Sequence, residues 1–231
     1  MNLLNQKPTS LPDAPAAEQS PLEGRVVLLA REGNITAGVF EVNDAFDLTL
    51  YQMPDGHFEV VVFMKLQFFF KSGPGGHWTD AEQQTYVGGW RDAVLRAWSG
   101  RNIHRTGCGR NVSMRLDFEI QCGGWMRDHW EISVIKIPAG DFRHSYVNVR
   151  SGNVALDSQD LTPANKGDPQ LQRGVVHEFG HMLGLEDEYE GDSSHQHDRA
   201  SVMNFGESIR ERHHEPVRSW VIRKLRDYGL R

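Results

Sequence analysis

Several features that mark common protein classes are scarce or missing in this chain. Only 2 of its 231 residues are cysteine and they form no CxxC pair, which argues against a disulfide-rich scaffold and against a thiolate zinc site. No apolar run approaches the roughly 20 residues that cross a bilayer. Lys and Arg number 25 against 31 Asp and Glu, and the net charge of -6 comes without a basic stripe. We therefore expect neither a nucleic-acid partner nor a membrane partner.

The N-terminal segment also lacks a targeting pattern. Residues 1–23 are rich in Pro, Ala, Ser and Gln, so we predict a flexible leader. They contain no basic stretch followed by an apolar one, as a Sec signal peptide would. Three explanations fit the lack of this pattern: a cytoplasmic location, export by a route that reads no such signal, and a mature form from which the signal was removed. We predict one catalytic domain over 24–231, with an N-terminal lobe at 24–184 and a C-terminal lobe at 185–231.

Strand-like patterns fill most of the chain before residue 157. Alternation is clearest where Met64, Leu66 and Phe68 share one face, and Gly, Asn, Asp and Pro signals separate the segments. The predicted strands are 25–30, 38–42, 46–53, 57–71, 112–121, 129–137, 142–149 and 153–157. Cys108 and Cys122 flank one of them. Either a disulfide or two reduced thiols would fit this spacing, and reduced thiols are favoured.

Three helices are predicted from their end signals. The sequence from Thr79 to Glu82 has the form of a capping box, and the apolar stripe behind it ends at Gly100. A second helix is predicted to begin with Asp168 as N-cap and Pro169 as its first residue, and to end at Gly184. A third is predicted from Pro216 to Gly229.

The strongest chemical signal is the HExxH sequence in the second helix. His177 and His181 lie four residues apart, on one helix face, where both imidazoles can bind a single zinc ion. Glu178 points about 100° away from its neighbour and can act as general base toward a zinc-activated water. Gly184 suits a helix exit with positive φ. Asp187 follows three residues later and is the favoured third ligand.

Other residues could supply the third ligand. Glu188 lies beside Asp187 and offers the same carboxylate chemistry. Four histidines follow within reach along the chain. These alternatives are His195, His197, His213 and His214.

The motif resembles the metzincin clan of zinc endopeptidases, which combine HExxHxxGxx and a third ligand with a downstream methionine turn. Here the Met-turn candidate is 201–206, and the resemblance implies that Met203 packs beneath the zinc ligands. Most of the clan has histidine where this chain has Asp187. The aspartate form resembles small bacterial secreted peptidases of the snapalysin type.

The resemblance covers roughly residues 57–229 and implies an α+β fold. In that fold a twisted mixed β-sheet packs on a long helix and an active-site helix, and a small C-terminal subdomain ends in a helix. An edge strand, assigned to 143–149, would pair with an extended substrate. The segment 25–53 has no assigned counterpart in the family.

Phe205 occupies the position at which the family often has a tyrosine, so another residue must donate to a developing oxyanion. The loop 186–199 is acidic and then histidine-rich. It is interpreted as a substrate-facing rim, a second metal site or a solvated mobile loop. The candidates for the oxyanion donor are Tyr189, His195, His197, His213 and Arg212.

These patterns favour a zinc-dependent endopeptidase with one catalytic zinc ion and a protein or peptide substrate. A monomer is slightly favoured. A bacterial effector or toxin and a housekeeping peptidase are both compatible with the sequence. Two other functions stay open: a non-catalytic metal-binding module, and a zinc hydrolase acting on an ester or a non-peptide amide.

Overall fold

The computed structural model describes residues 25–39, 41–165, 169–191 and 193–230. Over these residues the chain forms a mixed α+β fold with an eight-stranded mixed sheet, a two-stranded sheet and three α-helices. The predicted α+β class is therefore confirmed. The predicted leader at 1–23 lies outside the described residues. Among the described helices, none has the length and apolar character needed to cross a membrane.

The main sheet is built around one long central strand. Its order is β1-β2-β3-β6-β8-β7, with β5 paired to β3 and β4 paired to β5. β3 pairs antiparallel with β2 and parallel with β5 and β6, while β7 pairs antiparallel with β8 at the edge of the sheet. The strands are β1 Val27–Ala37, β2 Val42–Gln52, β3 Phe58–Lys71, β4 Arg101–Arg105, β5 Asn111–Cys122, β6 Trp130–Ile135, β7 Tyr146–Asn148 and β8 Asn153–Asp157.

The central position of β3 follows from its composition. Most of its residues are apolar, and side chains on both of its faces are buried, as is typical of strands covered on two sides. The first helix, α1 (Asp80–Trp98), packs on this sheet, where Trp90 lies 5.5 Å from the Phe68 ring. Trp98 donates from its indole nitrogen to the Val176 carbonyl at 3.1 Å. One aromatic core thus joins the sheet to the predicted metal helix.

The predicted capping box of α1 is confirmed, because Thr79 and Glu82 bond each other's backbone nitrogens. Gly100 follows the helix with a φ of 73°. The third helix, α3, spans Glu215–Asp227 behind a 3-10 turn at Glu211–His214. Both helices lie close to their predicted positions because their end signals are local.

The predicted start of the metal helix is wrong. The helix α2 spans Gly174–Met182, and Pro169 lies outside it; the predicted N-cap Asp168 lies outside the described residues. Two short strands, β9 Ala164–Asn165 and β10 Leu171–Gln172, pair with each other before the helix begins. This pairing overrides the local start signal. A Cβ on Gly174 would lie 1.9 Å from Asp160 Oδ1, so the Asp160 side chain packs directly against the first residue of α2.

Some strand predictions are also wrong. Of the described residues in the strand predicted at 38–42, only Val42 is in a strand, as the first residue of β2. Gly38 and Val39 form the turn after β1, with Gly38 at a φ of 71°, and Phe40 lies outside the described residues. β1 continues to Ala37 because Gly33 and Asn34, which suggest a turn, form an irregular step in which Asn34 N donates to Asp47 Oδ1 at 2.9 Å. The segment predicted as 142–149 contains only the three residues of β7, and β4 was not predicted.

The hairpin β1–β2 supports the exit of the metal helix. A Cβ on Gly38 would lie 1.8 Å from the Gly184 carbonyl oxygen, so the two backbones are in direct contact. On the other side, Glu32 accepts from the Trp220 indole at 2.9 Å and pairs with Lys224 at 2.8 Å. The segment without an assigned counterpart therefore connects α2 to α3.

Candidate metal centre

The structure brings together the three residues favoured as metal ligands. His177 and His181 lie one turn apart on α2, with ring centroids 4.9 Å apart. Gly184, at a φ of 88°, turns the chain so that Asp187 returns toward the helix. Asp187 Oδ1 lies 3.2 Å from His177 Nε2 and 3.4 Å from His181 Nε2. Among the described residues, these three form the one group whose ligand atoms all lie within 4.8 Å of one another.

Both imidazoles are held in the form that binds a metal. His177 Nδ1 lies 2.7 Å from the Val202 carbonyl oxygen, and His181 Nδ1 lies 2.8 Å from the Leu185 carbonyl oxygen. A carbonyl can only accept, so each Nδ1 carries the proton. In this tautomer the Nε2 atom of each ring points to the space beside Asp187, where its lone pair can bind a metal, as in histidines that ligate zinc.

The charge of this group also suits a cation. Burial raises the pKa of the Asp187 carboxyl, but the two imidazoles lower it more, and it stands well below its usual range. The pKa of His181 is raised, because Asp187 and Glu178 outweigh the opposite effect of burial. The site thus already attracts positive charge before a metal binds.

Two buried carboxylate oxygens at the site accept no hydrogen bond: Asp187 Oδ1 and Glu178 Oε2. Glu178 is only 2% exposed. A buried carboxylate oxygen that accepts no hydrogen bond is costly, and a divalent cation with its water would give each of these two oxygens a partner. Two imidazole nitrogens and one carboxylate oxygen are a known zinc-ligand set that leaves a fourth position open. The residues present therefore fit a catalytic zinc ion.

Met203 is fully buried and packs against α2 at Gly180. A Cβ on Gly180 would lie 2.2 Å from Met203 Sδ, so a larger residue at this second variable position of HExxH would force the Met203 side chain to move. A glycine within the helical HExxH motif is the sequence signal that could have suggested a close contact at this position. The identity of its partner could not be predicted, because Met203 is distant in sequence.

The alternative third ligands do not join the group. His195 and His197 are exposed, and of these two only His195 lines the cleft described below. His213 is buried and its Nε2 faces Ser201 Oγ at 3.2 Å and Glu188 Oε1 at 3.1 Å. His214 packs edge-on against Trp98 at 6.4 Å.

Glu188 is held by arginine and does not turn toward the two metal-site histidines. Arg212 donates to both of its oxygens, at 2.6 and 2.8 Å, and to Asp198 at 2.7 Å. Burial raises the pKa of Glu188, but hydrogen bonds from Arg212, Ser201 and His213 together outweigh it and lower the pKa to about 2. Asp198 is also bonded by Arg210. This ionic network anchors the loop 186–199, and its pairing was not predicted because the partners come from separate segments.

The metal group lies in a cleft of about 1220 Å³. One wall is the segment that contains the edge strand β7, with Phe142 63% and Tyr146 52% exposed. The other wall includes Tyr189, whose ring lies 5.1 Å from that of Phe205. Burial, followed by a hydrogen bond and charge from Asp187, raises the pKa of Tyr189. Tyr189 thus places a protonated hydroxyl beside a ligand.

The two cysteines do not form the disulfide that the sequence left open. Cys108 and Cys122 are both free thiols, and both are exposed. They lie near opposite ends of the β5 region and contribute nothing to the metal group. The favoured interpretation, two reduced thiols, is confirmed.

The buried ring of His214 should make the free energy of unfolding depend on pH. Burial, with the nearby charges of His213, Arg101 and Arg218, lowers its pKa from 6.5 to about 4, and its Nδ1 has no hydrogen-bond partner. The folded state therefore holds the neutral ring, while the unfolded chain takes up a proton below about pH 6.5. The contribution of His214 to stability is complete above that pH and declines as the pH falls toward 4.

We expect His214→Leu to reduce this acid sensitivity. Between pH 7.5 and 5, the free energy of unfolding should fall by about 2 kcal/mol less in the variant than in the wild type. Urea unfolding of the metal-free protein at several pH values measures the difference. His195→Leu, which removes an exposed histidine, should keep the wild-type slope. Parallel pH profiles for His214→Leu and wild type would contradict the prediction.

Comparison with protein-family models and with curated proteins finds no match to this chain. The case for a function therefore depends on the geometry of the site.

Proposed function

We propose that this protein is a zinc-dependent endopeptidase. The observation that carries the proposal is the convergence of His177 Nε2, His181 Nε2 and Asp187 Oδ1 beside the buried Glu178, whose Oε2 accepts no hydrogen bond. Two features support it. Both imidazoles are oriented by backbone carbonyls, and the group opens into a cleft large enough for several residues of a peptide.

The chemistry divides between the ion and the protein. A zinc ion bound by the three ligands would lower the pKa of a water and polarise a substrate carbonyl. Glu178 would accept a proton from that water and later deliver it to the leaving amine nitrogen. Glu178 suits this role because neither an arginine nor a lysine neutralises its carboxylate among the described contacts. The Tyr189 hydroxyl, on the wall of the cleft beside Asp187, would donate a hydrogen bond to the developing oxyanion.

The edge strand favours a peptide over a small ester or amide. Among the described strands β7 pairs only with β8, so we infer that the backbone groups on its other side can bond to an extended chain. Exposed Phe142 and Tyr146 flank this edge and lie in the lining of the cleft. An extended peptide could bond to β7 while its side chains pack on these rings.

We infer further that the fold is metzincin-like. Four features support this: the long helix α1 on a mixed sheet, the ligand-bearing helix α2 that ends at a glycine, the methionine turn 201–206 under the ligands, and the final helix α3. Asp187 in the third ligand position corresponds to the snapalysin-type form of the motif.

The proposal is tested by comparing wild type with Glu178→Gln. Both should bind one zinc ion per chain, because Glu178 is not a ligand. The variant should lose about 100- to 10,000-fold in kcat/KM toward a peptide library, which is the usual contribution of a general base. Zinc content by atomic absorption and cleavage by mass spectrometry give the two readouts.

Glu186→Gln is the matched control, because it removes an exposed carboxylate from the same cleft and should keep activity. Zinc binding without cleavage of any peptide would overturn the peptidase proposal and favour a binding module or a non-peptide hydrolase. Equal activity of wild type and Glu178→Gln would exclude Glu178 as the base.

A further inference from the structure

A buried glutamine connects the start of the metal helix to the methionine turn. Gln172 lies on β10, two residues before α2, and is 3% exposed. Its Nε2 lies 3.0 Å from the Val202 carbonyl oxygen, 3.0 Å from that of Asn204 and 3.2 Å from that of Gly206. The amide nitrogen is the only donor of this side chain, so it must face the three carbonyls.

One of these carbonyls also orients a metal ligand. The Val202 oxygen accepts from Gln172 Nε2 and from His177 Nδ1, which lies 2.7 Å away. A carbonyl oxygen has two lone pairs, and these two donors occupy both. The direction of the Val202 carbonyl therefore depends on Gln172, and the orientation of the His177 ring depends on the Val202 carbonyl.

Gln172 also holds the turn that carries Met203. Its three acceptors belong to residues 202, 204 and 206, so one side chain spans the whole turn. Asn204 is 1% exposed, and its carbonyl has no access to bulk water that would replace a lost donor. Gln172 itself is fixed by its place on β10, where it pairs with Ala164.

We propose that Gln172 is a positioning residue for the metal centre, which acts on His177 through the Val202 carbonyl and on Met203 through the turn 201–206. The inference rests on the proposed zinc site. Outer-shell partners of zinc-bound histidines commonly change metal affinity 10- to 100-fold when they are removed. Gln172 lies one step further from the metal than such a partner, because it orients the Val202 carbonyl and that carbonyl orients His177.

The test compares Gln172→Met with Gln67→Met. Gln67 is a matched control because it is 2% exposed and its Nε2 likewise donates to backbone carbonyls, those of Gly123 and Gly124. Those carbonyls belong to the β5–β6 loop and not to the methionine turn. Both variants lose buried hydrogen bonds and should be less stable to urea than wild type.

Only Gln172→Met should change the metal site. We expect a zinc dissociation constant raised about 10-fold, the lower end of the range for direct partners of a ligand, measured by competition with a chelator, and an altered visible absorption spectrum of the Co²⁺-substituted protein. Gln67→Met should keep the wild-type zinc affinity and Co²⁺ spectrum. If Gln172→Met does not fold, as judged by circular dichroism, Gln172→Asn takes its place. It keeps an amide but is one methylene too short to span the three carbonyls.

The outcomes separate this inference from the proposed function. Wild-type zinc affinity and spectrum in the folded Gln172 variant would overturn the positioning role and leave the zinc site intact. Equal zinc losses in the Gln172 and Gln67 variants would also overturn it, because a general loss of stability would then explain both. A wild-type protein that binds neither Zn²⁺ nor Co²⁺ would contradict the metal site and the role of Gln172 together.

Discussion

Replacement of Asp187 by alanine should abolish tight zinc binding. The variant leaves two imidazoles without the oxygen that lies 3.2 and 3.4 Å from their Nε2 atoms. We expect its zinc affinity to fall by more than the roughly 100-fold that loss of an outer-shell partner costs. Zinc at 100 times the wild-type dissociation constant should stabilise wild type by about 2.7 kcal/mol and the variant by far less. Chelator competition and urea unfolding with and without zinc measure the two effects.

Glu186→Ala is the control, because it removes a neighbouring exposed carboxylate. It should bind zinc as wild type does. Undiminished zinc binding by Asp187→Ala would show that another residue supplies the third ligand. Among the alternatives, Glu188 would have to leave Arg212, and His213 would have to leave Ser201 and Glu188. These existing bonds are the reason for preferring Asp187.

Replacement of Gly184 by alanine should destabilise the fold strongly. Gly184 has a φ of 88°, and an added Cβ would lie 2.6 Å from the backbone carbon of Ala37 and 2.7 Å from its oxygen. The neighbour is backbone, so no flexible side chain can move aside. We expect a loss of roughly 4 kcal/mol in the free energy of unfolding, which is at the upper end for single substitutions. Urea unfolding of the metal-free protein measures it, because zinc binding then makes no contribution.

Gly100→Ala is the matched control. Gly100 also follows a helix and has a φ of 73°, but an added Cβ would meet nothing within 4 Å. Its substitution should cost only about 1 to 2 kcal/mol for the left-handed backbone. The difference between the two variants isolates the contact between the β1–β2 hairpin and the helix exit. Equal losses would mean that this contact does not contribute to stability.

Local signals explain most of the successful predictions. The capping box at Thr79 and Glu82 depends on residues within one helical turn, and it was predicted correctly. The spacing of His177 and His181 depends only on helix periodicity. The glycine exit at Gly184 again depends on backbone conformation at one residue. Asp187 lies only three residues beyond Gly184, so the chain has few conformations that would place its carboxylate far from the two histidines.

Predictions failed where distant segments compete with local signals. The end signals at Asp168 and Pro169 resemble a helix start, yet α2 begins at Gly174 because β10 pairs with β9 and Asp160 packs against the first helical residue. Gly33 and Asn34 suggest a turn, yet β1 continues through them because Asp47 on the next strand accepts from Asn34. In both cases the deciding partner lies on another segment of the chain.

The sequence alone therefore specifies the chemical groups of the candidate site and their spacing: helix periodicity brings the imidazoles of His177 and His181 to one face, and Gly184 allows the turn that returns Asp187 toward them. The tertiary structure supplies what holds that chemistry in place. Gln172 reaches the turn of Met203, Gly38 contacts Gly184, and Arg212 keeps Glu188 away from the ligands. These contacts join residues that are distant in the chain, and no periodicity relates such residues. They could be recognised only once the folded backbone had brought them together.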